Sequence, residues 1–160
     1  MGTKKTTIDY IEWFDAEEMH EHSKKWFSEL SFIKDEQQFL KNLIQSFAIK
    51  PLKKQQFERI DGFKKAIEEN HYRLELLLKK VQKHMNQLRI MVDDVNQLDM
   101  EKAYKKTHKK LYSMMNLYLL DYRTVKERGF AKLSAILKAE KQKIALGNPD
   151  YKLTVDNKEK

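Results

Sequence analysis

The sequence predicts an all-α protein, an antiparallel bundle of three long helices with coiled-coil-like packing. Glycine and proline are scarce, with 4 and 2 residues among 160, and charged residues make up 35% of the chain. This composition is typical of helical and coiled-coil proteins. Apolar residues recur every three or four positions along three long stretches, which is the period of an amphipathic helix. We therefore expect one helical domain over residues 1–149 and a disordered polar tail over residues 150–160.

The first helix is expected over residues 15–48. Asp15 can accept a hydrogen bond from the backbone N–H of Glu18, whose carboxylate can reach back to the Asp15 N–H, and together these bonds form a capping box. Pro51 disfavours a helical conformation at Lys50 and so ends the helix. The expected core stripe keeps the heptad period of 3.5 residues per turn and contains Met19, Ser23, Trp26, Leu30, Ile33, Gln37, Leu40, Ile44 and Phe47.

The second helix is expected over residues 52–97 and the third over residues 99–146. The predicted stripe of the second contains Phe57, Ile60, Lys64, Ile67, His71, Leu74, Leu78, Val81, Met85, Leu88, Val92 and Val95. The third stripe has a longer period, close to an 11-residue repeat, and contains Leu111, Met115, Tyr118, Tyr122, Val125, Gly129, Leu133, Ile136, Glu140 and Ile144.

Gly129 allows two interpretations. Its missing side chain would let the third helix approach a neighbour closely, or it ends that helix and a short fourth helix folds back.

Antiparallel pairing brings these stripes together. A turn near residue 50 places Gln37 level with Lys64, and a turn near residue 98 places Ile67 level with Gly129. Core residues then face core residues along both hairpins, which favours the bundle. Residues 96–99 contain neither glycine nor proline, so a second possibility stays open. The second and third helices could form one continuous rod that exchanges helices with another copy.

Carboxylates and histidines form the strongest pattern for a metal site. Glu68 and His71 match the Glu-x-x-His element of di-iron four-helix bundles, and Glu75 lies one turn further on. Glu29 is the nearest candidate ligand on the first helix. Only His71 lies on a predicted core stripe, so we expect no metal or cofactor there. His71 should instead form a hydrogen bond with Glu68 or Glu75.

Several classes of chemistry are excluded by composition. The absence of cysteine rules out disulfides, thiolate metal sites and thiol nucleophiles, and it agrees with a cytoplasmic location. With only 4 glycines, the chain has no glycine-rich phosphate loop and no nucleophile elbow. No segment is long and apolar enough to suggest a transmembrane helix. We therefore expect a protein that is not an enzyme.

The net charge of +8 is concentrated in the third helix, where residues 99–146 hold 12 lysines and arginines against 5 acidic residues. Such a helix can bind nucleic acid or an anionic surface. The candidate basic face contains Lys102, Lys105, Lys106, Lys109 and Lys110. Lysine predominates over the arginine that base recognition favours, so a solvated helix face is the preferred interpretation.

Apolar residues outside the core stripes are the most informative surface feature. Leu76 and Ile90 project outward from the second helix, and Leu120 from the third at the level of Leu76. Together with Leu119 they form a candidate interaction patch. The leading hypothesis is thus a non-enzymatic protein that forms a homo-oligomer or binds a helical protein partner. The alternatives are polyanion binding through the basic face and the carboxylate–histidine metal site.

Overall fold

A computed structural model describes residues 11–93 and 98–146 of the chain, and it confirms the predicted fold class. Three α-helices pack against one another: α1 (Ala16–Ala48), α2 (Lys54–Asp93) and α3 (Leu98–Ala145). They run up, down and up, so that α1 and α3 are parallel to each other and antiparallel to α2. No strand occurs in the described ranges. The tail at residues 150–160, for which disorder was expected, lies outside them.

The start of α1 is fixed by the predicted capping box. The Asp15 Oδ1 accepts a hydrogen bond from the Glu18 N–H at 2.8 Å, and the Glu18 Oε2 accepts one from the Asp15 N–H at 3.3 Å. Such a cap stabilises a helix by about 1 kcal/mol. All nine residues of the predicted α1 stripe are buried, so this stripe is confirmed.

The predicted α2 stripe is half wrong. Ile60, Ile67, Leu74, Val81 and Leu88 are buried as expected, but Phe57 is exposed and the alternate positions are shifted by one residue. Val95 lies outside the residues that the structure describes. The structure buries Phe63, Asn70, Leu77, His84 and Met91 in place of Lys64, His71, Leu78, Met85 and Val92. The reason is that α2 contacts two helices, and in pairs such as Asn70 and His71 or Leu77 and Leu78 hydrophobicity does not distinguish the two positions. The choice between those positions depends on which helix each one faces.

The pairing of α1 with α2 differs accordingly from the predicted register. Gln37 lies level with Asn70, to which it donates a hydrogen bond at 2.7 Å, and not with Lys64, which is exposed. Lys34 of α1 forms an ion pair with Glu75 of α2 at 3.0 Å. Both contacts place α1 about two turns away from the expected position along α2.

The two questions left open for α3 are answered by its contacts. The helix continues through Gly129, which is buried against the ring of Phe63, so no fourth helix begins there. Arg73 of α2 pairs with Asp121 of α3 at 2.8 Å. Since α2 and α3 pack side by side within one chain, they form a hairpin and not a continuous rod.

The core runs the length of the bundle and ends in a second, smaller cluster. Most of the predicted α3 stripe is buried, but Glu140 and Ile144 are exposed because α3 extends past the α1–α2 connection. At the opposite end, Met19, Leu88 and Met91 form the second cluster, on which Phe14 packs. Ile11 is buried there too, whereas Trp13 is exposed. None of the described helices has an apolar stretch that could cross a membrane.

Candidate functional site

Three histidines, one from each helix, form a chain of direct contacts near the α1 N-terminus. The Nδ1 atom of His22 lies 2.8 Å from the Nε2 atom of His108, and the Nδ1 atom of His108 lies 2.9 Å from the Nε2 atom of His84. His84 and His108 are fully buried, while His22 is half-buried at the edge of an open depression lined by Phe14, Glu18 and Lys25. We call these three residues the histidine chain.

Aromatic side chains enclose the histidine chain. The Trp26 ring stacks on the His108 ring with centroids 4.4 Å apart, Phe14 meets His22 edge-on at 5.7 Å, and Tyr104 meets His84 at 6.3 Å. These rings exclude water, and a charged group is costly in such surroundings.

Burial therefore keeps the imidazoles neutral. It lowers the pKa of His84 to about 4, and burial together with the neighbouring imidazoles lowers the pKa of His108 to about 3. The pKa of His22 is lowered by burial and by Lys25.

A neutral imidazole has one N–H donor and one acceptor nitrogen. Both hydrogen bonds within the histidine chain form when every ring donates in the same direction, towards His22 or towards His84. In either arrangement the Nδ1 atom of His84 has no partner among the described residues. The histidine chain can thus reverse its direction of donation only if the tautomers of the linked rings change together.

The histidine chain does not have the geometry of a mononuclear metal site. His108 directs its two nitrogens at different partners, so the three rings do not converge on one point. In the part of the chain that the structure describes, no group of three histidine, aspartate or glutamate side chains is placed to hold a metal ion.

The predicted metal ligands are not brought together. Glu29 and Glu68 are exposed, and Glu75 is held by Lys34. His71 donates from Nδ1 to the Gln37 Oε1 at 2.8 Å, and its Nε2 lies 3.5 Å from the Glu75 Oε1. His71 therefore belongs to a polar layer of the bundle.

This polar layer crosses all three helices at mid-height. The Asn70 Oδ1 accepts hydrogen bonds from the Gln37 Nε2 at 2.7 Å and from the Tyr118 hydroxyl at 2.6 Å. The Asn70 Nδ2 donates to the Asp121 Oδ2 at 3.2 Å. A buried polar layer fixes the register of packed helices, because any slip leaves its members unpaired.

The residues of the predicted interaction patch differ in exposure, and Ile90 lies apart from the other three. Leu76, Ile90 and Leu120 are exposed, but Leu119 is partly buried against the core. The Arg73–Asp121 ion pair places Leu76 level with Tyr118, and Leu120 lies two residues further along α3, or about 3 Å. Ile90 lies 14 residues from Leu76 along α2, or roughly 21 Å.

The predicted basic face is partly neutralised. Lys102, Lys106 and Lys110 are exposed at intervals of four residues, one turn apart. Lys109 is paired with Glu12, and the Lys105 Nζ lies 3.9 Å from the Glu101 carboxylate.

Two exposed aromatic side chains lie on the side of α1 that faces α3. Phe32 and Phe39 are 67% and 62% exposed, although they lie in the middle of α1. They flank Glu36, which joins α1 to α3: the Tyr122 hydroxyl donates to Glu36 at 2.5 Å, and Lys126 pairs with it at 2.9 Å. Apolar residues lie one or two helical turns from these contacts on both helices. We call this surface the phenylalanine face, and its members are Phe32, Phe39 and Leu43 of α1 with Leu119 and Phe130 of α3.

The α1 half of this face was not part of the interaction patch predicted from the sequence. Among the three helices, α1 and α3 make the fewest close backbone contacts, so the two rings remain uncovered. The signal was the heptad interval between Phe32 and Phe39. Comparison of the chain with protein-family models, with curated proteins and with solved structures gives no match.

Proposed function

We propose that this chain is a non-enzymatic helical-bundle protein that self-associates through the phenylalanine face. The observation that carries the proposal is the exposure of Phe32 and Phe39 in the centre of a well-packed helix. Burying a phenylalanine side chain contributes roughly 1.5–3 kcal/mol, and aromatic side chains are the usual anchors of protein interfaces. A cytoplasmic location, which the cysteine-free sequence favours, is part of this proposal.

The layout of the bundle favours a helix as the binding partner in the groove between α1 and α3. Because α1 and α3 are parallel and less closely apposed than the other pairs, a helix antiparallel to both would fit the groove between them. The arrangement around the groove would then be a four-helix bundle, in which each helix contacts two antiparallel neighbours.

A second copy of the chain is the binding partner that we propose for this groove. The rim of the face carries Glu29 and Asp35 on α1 and Arg123 and Lys126 on α3, and these two cations pair within the chain with Glu127 and Glu36. In a two-fold arrangement, α1 of one copy lies in the groove of the other, where Phe32 of one meets Phe39 of its mate. The carboxylates of each α1 would then lie near the cations of the other copy's α3, and exchange of ion-pair partners between the copies would help to fix the register.

The test is the mass of the protein in solution, measured by size exclusion with light scattering. We expect wild type at twice the mass of a single chain and a variant carrying Phe32→Glu and Phe39→Glu at the mass of one chain, with unchanged helicity. The matched control carries Leu76→Glu and Leu120→Glu, which also places two acidic residues on exposed apolar positions. It should remain dimeric.

Two outcomes would overturn the proposal. A monomeric wild type at high micromolar concentration would exclude self-association. A dimer that only the Leu76 and Leu120 changes dissociate would show that the originally predicted patch is the interface.

Polyanion binding is the second candidate function. It is favoured by the exposed, regularly spaced Lys102, Lys106 and Lys110. Binding of DNA or RNA that weakens steeply with salt and is lost in a variant with all three changed to glutamine would support it. Affinity that does not change with salt would exclude it.

A further inference from the structure

The end of the bundle opposite the histidine chain combines exposed apolar side chains with a concentration of lysines. There the α1–α2 connection lies beside the last turns of α3, and Lys50 joins them by pairing with Glu140 at 3.1 Å. From Glu140, α3 and its last turn continue to Leu146, or about 9 Å further. We call this end, formed by residues 48–59 and 137–146, the basic tip.

Large apolar side chains project from the basic tip. Ile49 is 81% exposed at the α1–α2 connection, and Leu146 is 86% exposed at the end of the described part of α3. Phe57, Leu137 and Ile144 are also exposed at this end. None of these side chains belongs to the core, which ends near Phe47 and Ile136.

The charges at the basic tip are almost all positive. Its two acidic residues are Glu58 and Glu140, and the second is already paired with Lys50. The cationic residues outnumber them at seven to two: Lys50, Lys53, Lys54, Arg59, Lys138, Lys141 and Lys143.

We infer that the basic tip docks on an anionic lipid bilayer. A membrane interface accepts both features at once, since apolar side chains enter the boundary of the acyl region while lysines attract anionic headgroups. A nucleic acid would attract the lysines too, but it would leave Ile49 and Leu146 in water. A folded protein surface would need a matching acidic and apolar recess, whereas a bilayer is deformable. The docking is peripheral and reversible, because the inserted surface is a few side chains.

The experiment is co-sedimentation of the full chain with vesicles. Vesicles of phosphatidylcholine alone should leave the protein in the supernatant, and those containing 30% phosphatidylserine should sediment it. Binding should weaken at least tenfold between 50 and 300 mM salt. The double variant Lys53→Glu and Lys141→Glu should lose binding at least tenfold, and Ile49→Ser with Leu146→Ser should weaken it several-fold at unchanged net charge.

A matched control separates the basic tip from overall charge. The variant Lys102→Glu with Lys106→Glu changes the net charge by the same amount at the other end of α3, and it should bind vesicles nearly as wild type does. Circular dichroism would check that each variant is folded.

Three results would overturn the inference. One is failure of the wild type to bind phosphatidylserine vesicles at 50 mM salt. Another is equal loss of binding in the control and in the tip variant. The third is that the protein does not bind vesicles but binds RNA or DNA, and that this binding is lost in the tip variant.

Discussion

Gly129 of α3 lies against the ring of Phe63 of α2, and a Cβ atom at position 129 would overlap that ring. This contact brings the two helix backbones close together at the end of the bundle where α1 and α2 join. Gly62 precedes Phe63 in α2, but a Cβ atom added at Gly62 would meet only the flexible end of Lys132, at 3.6 Å. The two glycines are therefore a matched pair with opposite expected responses.

We predict that Gly129→Ala destabilises the bundle by about 1–3 kcal/mol, the usual cost of overpacking a core, even though alanine favours a helix by up to about 1 kcal/mol over glycine. Gly62→Ala should stabilise it by about 0.5–1 kcal/mol through propensity alone. Urea unfolding followed by circular dichroism measures both. Phe63→Leu should recover part of the loss in a Gly129→Ala background, and equal effects of the two alanines would contradict this account.

The histidine chain predicts a loss of stability on acidification. The pKa values of His84 and His108 are about 4 and 3 in the folded state, compared with about 6.5 in an unfolded chain. The unfolded state therefore binds more protons below pH 6.5, and stability falls as the pH decreases from there towards the folded pKa values. Each of these histidines should lower the free energy of unfolding by about 2 kcal/mol between pH 6.5 and pH 5.

Two measurements check this prediction. Urea unfolding at pH 5 and pH 7.5 gives the difference in stability. Proton–carbon NMR of the imidazoles should show that the signals of His84 and His108 stay constant down to pH 5 while the protein is folded. A ring of either residue that titrates near pH 6.5 in the native protein would refute it. The acidic loss should also shrink in a His84→Leu variant.

Local patterns were enough to predict some elements and not others. The capping box at Asp15 and Glu18 and the whole α1 stripe follow from spacing, because α1 has one continuous row of core positions. In α2, Asn70 competes with His71 and His84 with Met85 for the core, and hydrophobicity favours the wrong member in the second case. The correct choice depends on partners 33 and 24 residues away, Gln37 and His108.

The histidine chain was beyond prediction for a related reason. Its members come from three helices, and an error of about two turns in the α1–α2 register separates them. The pairing of Phe63 with Gly129 gives the α2–α3 register that also places His84 opposite His108. Gly129 was therefore the most informative residue in the sequence for predicting this register. By contrast, the uncovered state of Phe32 and Phe39 depends on how closely α3 approaches α1, which periodicity does not encode.

The polar layer predicts strong coupling between Gln37 and Asn70. Asn70→Ala removes the acceptor that serves both Gln37 and Tyr118, and it should cost about 2–3 kcal/mol because buried polar atoms lose their partners. Changing Gln37 and Asn70 to leucine together should cost much less than the sum of the two single leucine changes. A double-mutant cycle from urea unfolding measures this coupling, and additive losses would show that the layer does not act as a unit.

The last prediction concerns alkaline pH and the link between α1 and α3. Burial raises the pKa of Tyr122 well above its ordinary value, with a further contribution from the hydrogen bond to Glu36, and burial also raises the pKa of Tyr118. The unfolded chain therefore releases protons from these tyrosines above pH 10 while the folded chain retains them, so stability falls as the pH rises through that range. Tyr122→Phe should reduce this alkaline loss and cost about 1–2 kcal/mol at pH 7, since a hydrogen bond to a charged carboxylate disappears. Ultraviolet absorbance of tyrosinate, recorded with helicity during a pH titration, should show Tyr122 ionising only as the helices unfold. Ionisation of that tyrosine in the native bundle near pH 10 would show that its hydroxyl is not held by Glu36.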